Sequence, residues 1–94
     1  MITIWKYEIP AEDRFTLDIP RDYAFLDVQA QGDKPVLWTQ VDPASPKETV
    51  RFALVATGDE CPDADEGAYW YIGTFQVHGG LLVYHLFYRN PLAD

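Results

Sequence analysis

Hydrophobic and polar residues alternate along most of this chain with the two-residue period of β-strands. In one segment, Leu26, Val28 and Ala30 are separated by Asp27 and Gln29. Such alternation assigns the first three side chains to one face of a strand, and it assigns Phe25 to the opposite face with the polar residues. Proline and glycine recur at short intervals, which leaves few stretches long enough for a helix. The pattern predicts seven strands, over residues 2–9, 14–19, 24–31, 36–41, 47–57, 69–78 and 81–89.

These strands are joined by short segments of turn-forming residues. QGDK at residues 31–34 and DPASP at residues 42–46 predict tight connections, and GDECPDADEG at residues 58–67 predicts a longer loop. An alternative for IPRDYA, residues 19–24, is one helical turn. Seven strands with short connections predict an all-β antiparallel sandwich or a small barrel. Since 94 residues suit one domain and no linker or repeat divides them, we expect a single domain over residues 1–94.

The segment YIGTFQVHGGLLVYHLFYR, residues 71–89, predicts a closing hairpin with Gly79 and Gly80 in its turn. Two glycines suit the positive φ angles of a type I′ turn, and the resulting register places His85 opposite Thr74. One face of the hairpin is then almost wholly apolar and is the predicted core: Tyr69, Tyr71, Phe75, Val77, Leu82, Tyr84, Leu86 and Tyr88. The other face is mixed: Trp70, Ile72, Thr74, Gln76, His78, Leu81, Val83, His85, Phe87 and Arg89.

The composition is acidic and rich in aromatic residues. Hydrophobic residues make up 48% of the chain and aromatic residues 15%, which excludes a disordered chain. The net charge of −8 arises from 15 acidic and 7 basic residues, so the chain lacks the cations that bind a phosphate backbone. We therefore expect no nucleic-acid binding. An acidic surface suits a soluble protein, or one that offers carboxylates to a basic partner.

Cysteine usage and hydropathy predict a cytoplasmic location. A single cysteine, Cys61, cannot form an internal disulfide, which is consistent with a reducing compartment. The first residues, MITIWKYEIP, lack the pattern of a secretory signal. No apolar run approaches the roughly 20 residues that a bilayer crossing needs, so we expect no membrane association.

Candidate catalytic groups are few. His78 and His85 fall on the mixed face about 13 Å apart at roughly 3.4 Å per residue, too far to share one metal ion. The simplest role for His85 is a hydrogen bond to Thr74, and a ligand-contacting or catalytic role is the alternative. The acidic loop at residues 59–66 lacks the ligand series of an EF-hand, and carboxylates around Cys61 disfavour its thiolate. We expect no catalytic residues, no metal and no cofactor.

Several aromatic and basic residues are candidates for contacts with a ligand or a partner. Trp5 and Tyr7 are spaced to lie on one face of a strand, where a core position is favoured over stacking on a planar ligand. The mixed face of the hairpin would expose a large apolar patch on a monomer, which predicts a symmetric dimer unless the second sheet covers that face. The complete set of predicted ligand or partner contacts is Trp5, Tyr7, Trp70, His78, His85, Phe87 and Arg89.

Four segments together resemble a family of short uncharacterised proteins from phages, prophages and bacteria. They are IWKY at residues 4–7, DRFTLDIP at residues 13–20, LWTQVDPASPKETVRF at residues 37–52 and YIGTFQVHGGLLVYHLF at residues 71–87. The resemblance implies an origin in a phage or mobile element, and it implies no reaction and no catalytic residues.

Small phage accessory proteins often act by binding, and by this analogy we expect a non-enzymatic protein that binds a host or phage protein. One alternative is an oligomeric sponge for a small nucleotide-type signal in anti-defence. Because the chain is acidic, that function requires some of its four arginines, Arg14, Arg21, Arg51 and Arg89, to converge. A small hydrolase using His85 is the remaining alternative.

Overall fold

The computed structural model describes residues 1–89 as two antiparallel sheets packed face to face. Sheet A has the strand order β1-β4-β3, and sheet B has the order β2-β5-β7-β6. The all-β sandwich is therefore confirmed, and the sheets do not close into a barrel. Among the described residues, no helical segment has the length and apolar character needed to cross a bilayer. The strands are β1 (Thr3–Glu8), β2 (Arg14–Pro20), β3 (Ala24–Gln31), β4 (Lys34–Val41), β5 (Lys47–Ala56), β6 (Tyr69–Val77) and β7 (Leu82–Arg89).

The core lies between the sheets and is filled by alternate residues of the strands. Leu37, Phe52 and Leu86 are fully buried, and the Phe15 ring stacks on Phe52 with centroids 5.0 Å apart. Burying a side chain of this size contributes about 1.5 to 3 kcal/mol. Cys61 is a free cysteine and lies outside this core, at an exposed position.

A β-bulge in β3 changes the faces that simple alternation predicts. The register shifts between Phe25 and Asp27, so the strand carries one extra residue at Leu26. Phe25 consequently packs against the core on the same side as Val28 and Ala30, whereas Leu26 is 49% exposed. The prediction that Leu26 shares the face of Val28 and Ala30 is wrong for this reason.

A second bulge, in β6, has the same effect on the closing hairpin. Pairing follows the predicted register from the turn to Gly73 and then shifts by one residue between Tyr71 and Gly73. Tyr71 therefore pairs with Phe87 and is exposed, although it was predicted to be core. Trp70 and Ile72, predicted on the mixed face, instead turn to the side of the core, where Ile72 packs against it.

The turn of this hairpin lies at the glycine pair. Gly79 and Gly80 have φ angles of 66° and 89°, and the Leu81 amide donates a hydrogen bond to the His78 carbonyl at 3.2 Å. These are the angles and the bond of a type I′ turn. His78 also has a positive φ of 53°, so the strands end one residue earlier than predicted on each side. Leu82, predicted as core, lies at this open end and is 43% exposed.

The segment IPRDYA contains no helical turn. Ile19 and Pro20 complete β2, and the chain then bends at Arg21 and Asp22 before β3 begins. Asp22 adopts a φ of 62°, a left-handed conformation that aspartate tolerates better than most residues. The segment therefore forms a bend in place of the helical turn that was the alternative prediction. After the bend, Tyr23 packs against the core.

Strands β3 and β6 run alongside each other in the same direction, one from each sheet. A Cβ atom on Gly73 would lie 2.8 Å from Cγ1 of Val28, and Asp33 accepts a hydrogen bond from the His78 amide at 2.9 Å. The two residues of each pair are separated by the same number of positions in the sequence. The chain therefore advances in the same direction along both strands. This packing brings the beginning of β3 next to the beginning of β6.

Candidate functional site

An open cleft of about 270 Å³ lies where the beginnings of β3 and β6 meet the end of β7 and the beginning of β5. We call it the aromatic cleft. Its lining combines three aromatic side chains with two carboxylates: Asp22, Tyr23, Glu48, Trp70 and Tyr88.

The aromatic rings of the cleft stand nearly perpendicular to one another. The centroids of Trp70 and Tyr88 are 5.7 Å apart at an interplanar angle of 85°, and those of Tyr23 and Tyr88 are 6.4 Å apart at 78°. Phe25 supports both tyrosines, with its centroid 4.8 Å from each. Trp70 is 44% exposed. The rings are therefore held in place from the core side, and the tryptophan remains accessible from solvent.

The two carboxylates reach the cleft for different reasons. Glu48 is paired with the buried Ile19, so its side chain leaves β5 on the core side of sheet B, whereas the neighbouring Lys47 leaves on the opposite side. Asp22 is placed by the left-handed bend before β3. Within residues 1–89, neither Asp22 nor Glu48 takes part in an ion pair. The cleft therefore carries negative charge that the described part of the chain does not neutralise through contact.

The tyrosine hydroxyls of the cleft stay protonated at physiological pH. Burial, and after it the charge of Glu48, raises the pKa of Tyr23 to about 12. Burial also raises the pKa of Tyr88 above its ordinary value. Both groups are thus neutral hydrogen-bond donors, and the charge of the cleft comes from its carboxylates.

A second cleft, of about 410 Å³, gathers three of the arginines: Arg14, Arg51 and Arg89. We call it the arginine cleft; Arg21 is not part of its lining. Arg14 binds Glu66 through two bonds of 2.7 and 3.0 Å, and this hydrogen bonding holds the pKa of Glu66 below its ordinary range. The local positive charge is therefore partly offset by the acidic loop.

His85 lies on the outer face of sheet B, the side turned away from sheet A, and both of its ring nitrogens meet threonine hydroxyls. Thr74 Oγ1 lies 2.8 Å from Nδ1, as the predicted pairing required, and Thr57 Oγ1 lies 2.8 Å from Nε2. Tyr71 extends the network through its hydroxyl to Thr74. Since Thr57 also donates to the Val83 carbonyl at 3.4 Å, its oxygen is free to accept the Nε2 proton. Both ring nitrogens thus have a threonine hydroxyl within hydrogen-bond distance, and no carboxylate of residues 1–89 is bonded to the ring.

His78 lies in the hairpin turn, and its partners differ from those of His85. Its Nδ1 is 3.8 Å from a carboxylate oxygen of Asp33, and both side chains are exposed. Within the described chain, no group of three or more histidine, cysteine or acidic side chains is arranged to hold a metal ion. The two histidines therefore serve separate parts of the fold.

Hydrogen bonds to its own carboxylates organise the acidic loop. It contains a short 3-10 turn at Ala64–Glu66, in which Asp63 accepts a hydrogen bond from the Asp65 amide at 3.0 Å. Glu66 in turn accepts one from the Asp63 amide at 3.1 Å while it binds Arg14. One carboxylate of the loop thus anchors it to β2.

The remaining predicted contact residues are distributed over the fold. Trp5 and Tyr7 meet edge to face at 6.5 Å and pack against the core, and burial raises the pKa of Tyr7. Phe87 contacts the Tyr71 ring at 5.6 Å on the outer face of sheet B. Of the predicted contacts, Trp70 belongs to the aromatic cleft and Arg89 to the arginine cleft.

Sequence reasoning did not find the other members of the aromatic cleft, namely Asp22, Tyr23, Glu48 and Tyr88. They come from three segments, which only the tertiary fold brings together with Trp70. The one available signal was the combination of an aspartate that tolerates a left-handed bend with a tyrosine directly after it. Trp70 was selected for its predicted position on the mixed face, whereas the bulge in β6 places it on the other side.

Comparison with known proteins places the chain in one family. A family model described as "Domain of unknown function (DUF7352)" matches residues 1–94. The chain belongs to this family. No curated protein and no solved structure matches the chain. Membership of the DUF7352 family agrees with the resemblance to an uncharacterised family, and the phage origin stays a prediction.

Proposed function

We propose that this protein is a non-enzymatic accessory protein of a phage or mobile element, and that it binds a host or phage protein through the aromatic cleft. The observation that carries the proposal is the cleft itself, in which an accessible Trp70 and two tyrosines surround a space flanked by carboxylates. Tryptophan and tyrosine dominate the energetics of protein interfaces because they bury large areas and lose little conformational freedom.

The support of the rings by the core favours binding without rearrangement. Phe25 packs against Tyr23 and Tyr88 and itself packs on Phe52 at 5.6 Å, so the cleft is tied to the centre of the fold. A site that is already ordered avoids part of the entropic cost of association. The proposal therefore predicts that binding leaves the backbone of both sheets unchanged.

Affinity capture in a bacterial host tests this proposal when wild type is compared with two variants. Trp70→Ala removes the accessible ring of the cleft, and Leu81→Ala removes an apolar side chain that is 84% exposed in the distant hairpin turn. We expect a protein that wild type and Leu81→Ala retain and Trp70→Ala loses. With the purified partner, loss of about 2 kcal/mol at a central aromatic residue corresponds to roughly 30-fold weaker binding.

The proposal is contradicted if the retained protein binds Trp70→Ala as well as it binds wild type, or if wild type retains nothing above background. Circular dichroism of Trp70→Ala separates loss of binding from loss of fold. If Trp70→Ala has the wild-type spectrum and a melting temperature within a few degrees of wild type, the loss of binding is due to the change in the cleft.

The arginine cleft favours a second candidate function, the binding of a small nucleotide-type signal by an anti-defence protein. Convergence of Arg14, Arg51 and Arg89 supplies the local positive charge that such a ligand requires in an acidic chain. Tyr69 lines the same cleft and offers a ring for stacking on a base. We expect a nucleotide that raises the melting temperature of wild type and has no effect on Arg51→Ala. A nucleotide panel with no stabilisation beyond about 1 °C contradicts this function.

A further inference from the structure

We infer that the aromatic cleft takes the guanidinium group of an arginine side chain from the partner protein. The inference rests on the proposed binding function and names the group that the cleft recognises. It follows from three properties of the cleft: the faces of its rings, its carboxylates and its size.

The aromatic rings of the cleft attract a cation. A cation is attracted to the face of an aromatic ring within about 6 Å of its centroid, most strongly at tryptophan. Tyr88 has its centroid 5.7 Å from that of Trp70 and 6.4 Å from that of Tyr23, at nearly perpendicular angles. The rings thus contact one another edge to face, and a planar cation that enters the cleft stacks on the accessible Trp70, with the tyrosines beside it. Guanidinium stacks on such rings, and its weak hydration lowers the cost of leaving water.

The carboxylates of the cleft can accept hydrogen bonds from a guanidinium group. Asp22 and Glu48 line the cleft, and neither takes part in an ion pair within the described chain. A guanidinium group carries five N–H donors in a fixed plane, so it can stack on a ring and still donate to carboxylate oxygens at its edge. An ammonium group is a compact, strongly hydrated charge and cannot combine these contacts equally well. The chemistry of the cleft thus favours arginine over lysine.

The size of the aromatic cleft and the net charge of the chain also suit an arginine side chain from a basic partner. Sites for small organic ligands usually have volumes of about 300 to 1,000 Å³. At about 270 Å³ the aromatic cleft lies just below this range, which suits one inserted side chain better than a whole metabolite. The net charge of −8 favours association with a basic partner and accelerates the encounter.

Titration of isotope-labelled protein with capped tripeptides tests the inference. The central residue is arginine in one peptide, its neutral isostere citrulline in the second and lysine in the third. The chain has three tryptophan indole N–H signals, and those of Trp5 and Trp38 serve as internal controls for Trp70. With peptide up to about 10 mM, which detects dissociation constants in the millimolar range, we expect arginine to shift the Trp70 signal alone.

Two comparisons sharpen this titration. We expect citrulline to bind at least about 10-fold more weakly than arginine, since it keeps the shape of the group and loses its charge. We expect Glu48→Gln to weaken arginine binding by a similar factor while the melting temperature stays within a few degrees of wild type. Lysine should bind more weakly than arginine and more tightly than citrulline.

Each contrary outcome overturns the inference in a distinct way. Equal binding of arginine and citrulline shows that stacking alone determines recognition, and equal binding of arginine and lysine removes the preference for guanidinium. No shift of the Trp70 signal with any peptide shows that the cleft is not a cation site. Any of these results leaves the proposed function standing if capture of the partner still depends on Trp70. If the arginine peptide does not bind and no captured partner depends on Trp70, both the inference and the proposed function are overturned.

Discussion

The close approach of β3 and β6 rests on Gly73, and replacing this glycine by alanine should destabilise the protein. The added methyl would lie 2.8 Å from Cγ1 of Val28, whereas carbon atoms in a packed core prefer about 3.5 to 4.0 Å. Val28 is 1% exposed, so it cannot move into solvent to relieve the overlap. Overpacking of this kind costs about 1 to 3 kcal/mol. Restriction of the unfolded chain offsets roughly 0.4 to 1 kcal/mol of this cost, so we expect a net loss of about 0.5 to 2 kcal/mol.

A double-mutant cycle with Val28→Ala isolates the contact. Val28→Ala alone removes two methyl-sized groups from a buried position and should cost about 2 kcal/mol, from roughly 0.8 kcal/mol per buried carbon plus the residual cavity. In the double variant the methyl at position 73 occupies part of the space that Val28 vacates. The double variant should therefore be more stable than the sum of the two single effects predicts, by roughly 1 kcal/mol.

Urea unfolding with linear extrapolation measures each free energy, and a change of 1 kcal/mol should shift the melting temperature by about 4 to 8 °C in a domain of this size. The predicted overlap with Val28 is refuted if Gly73→Ala unfolds at the wild-type urea midpoint. It is also refuted if the two effects add within about 0.3 to 0.5 kcal/mol, because residues that share no contact behave in this way.

Three further predictions concern other parts of the fold. Gly80→Val should lower the melting temperature by several degrees in a thermal scan, because a β-branched residue resists the φ of 89° and its Cβ would lie 3.0 Å from the Gln76 side chain; a change within one degree contradicts the turn. Thr39→Val should raise the free energy of unfolding by about 1 kcal/mol in urea, because the hydroxyl of this fully buried residue has no hydrogen-bond partner in the described structure; a clear loss would show that the hydroxyl is satisfied. Native mass spectrometry should show a dimer that Phe87→Glu dissociates without unfolding, since a charge buried in an apolar interface has no partner; a strictly monomeric 10.8 kDa species at micromolar concentration contradicts self-association.

Features that depend on neighbouring residues, namely the strands and the hairpin turn, could be predicted from the sequence. The faces of the side chains were predicted wrongly where a bulge adds one residue to a strand. Alternation located the seven strands, and the glycine pair located the turn, because both features are local. The bulge at Leu26 has no comparable local signature, and the bulge at Ile72 is marked only by the neighbouring Gly73. Each bulge reverses the faces of the residues on one side of it. Trp70 and Tyr71 consequently exchanged their predicted surroundings.

The candidate site was less accessible to prediction than the fold. Tyr23, Glu48 and Tyr88 are far apart in the sequence, and no single segment holds more than two members of the cleft. Their meeting depends on the parallel packing of β3 against β6, in which Gly73 allows the close approach to Val28. Convergence of three arginines, which the sequence could state only as a condition, is likewise a property of the folded chain.

Site-specific photo-crosslinking in a bacterial host tests the location of partner binding most directly. A photoreactive phenylalanine analogue in place of Tyr23 keeps an aromatic ring in the lining of the aromatic cleft, and the same analogue at the exposed Leu81 lies in the distant hairpin turn. We expect a crosslink to a second kind of protein from position 23, its loss when Trp70→Ala is added, and no such crosslink from position 81. A partner that crosslinks from position 81 and not from position 23 would contradict binding at the aromatic cleft.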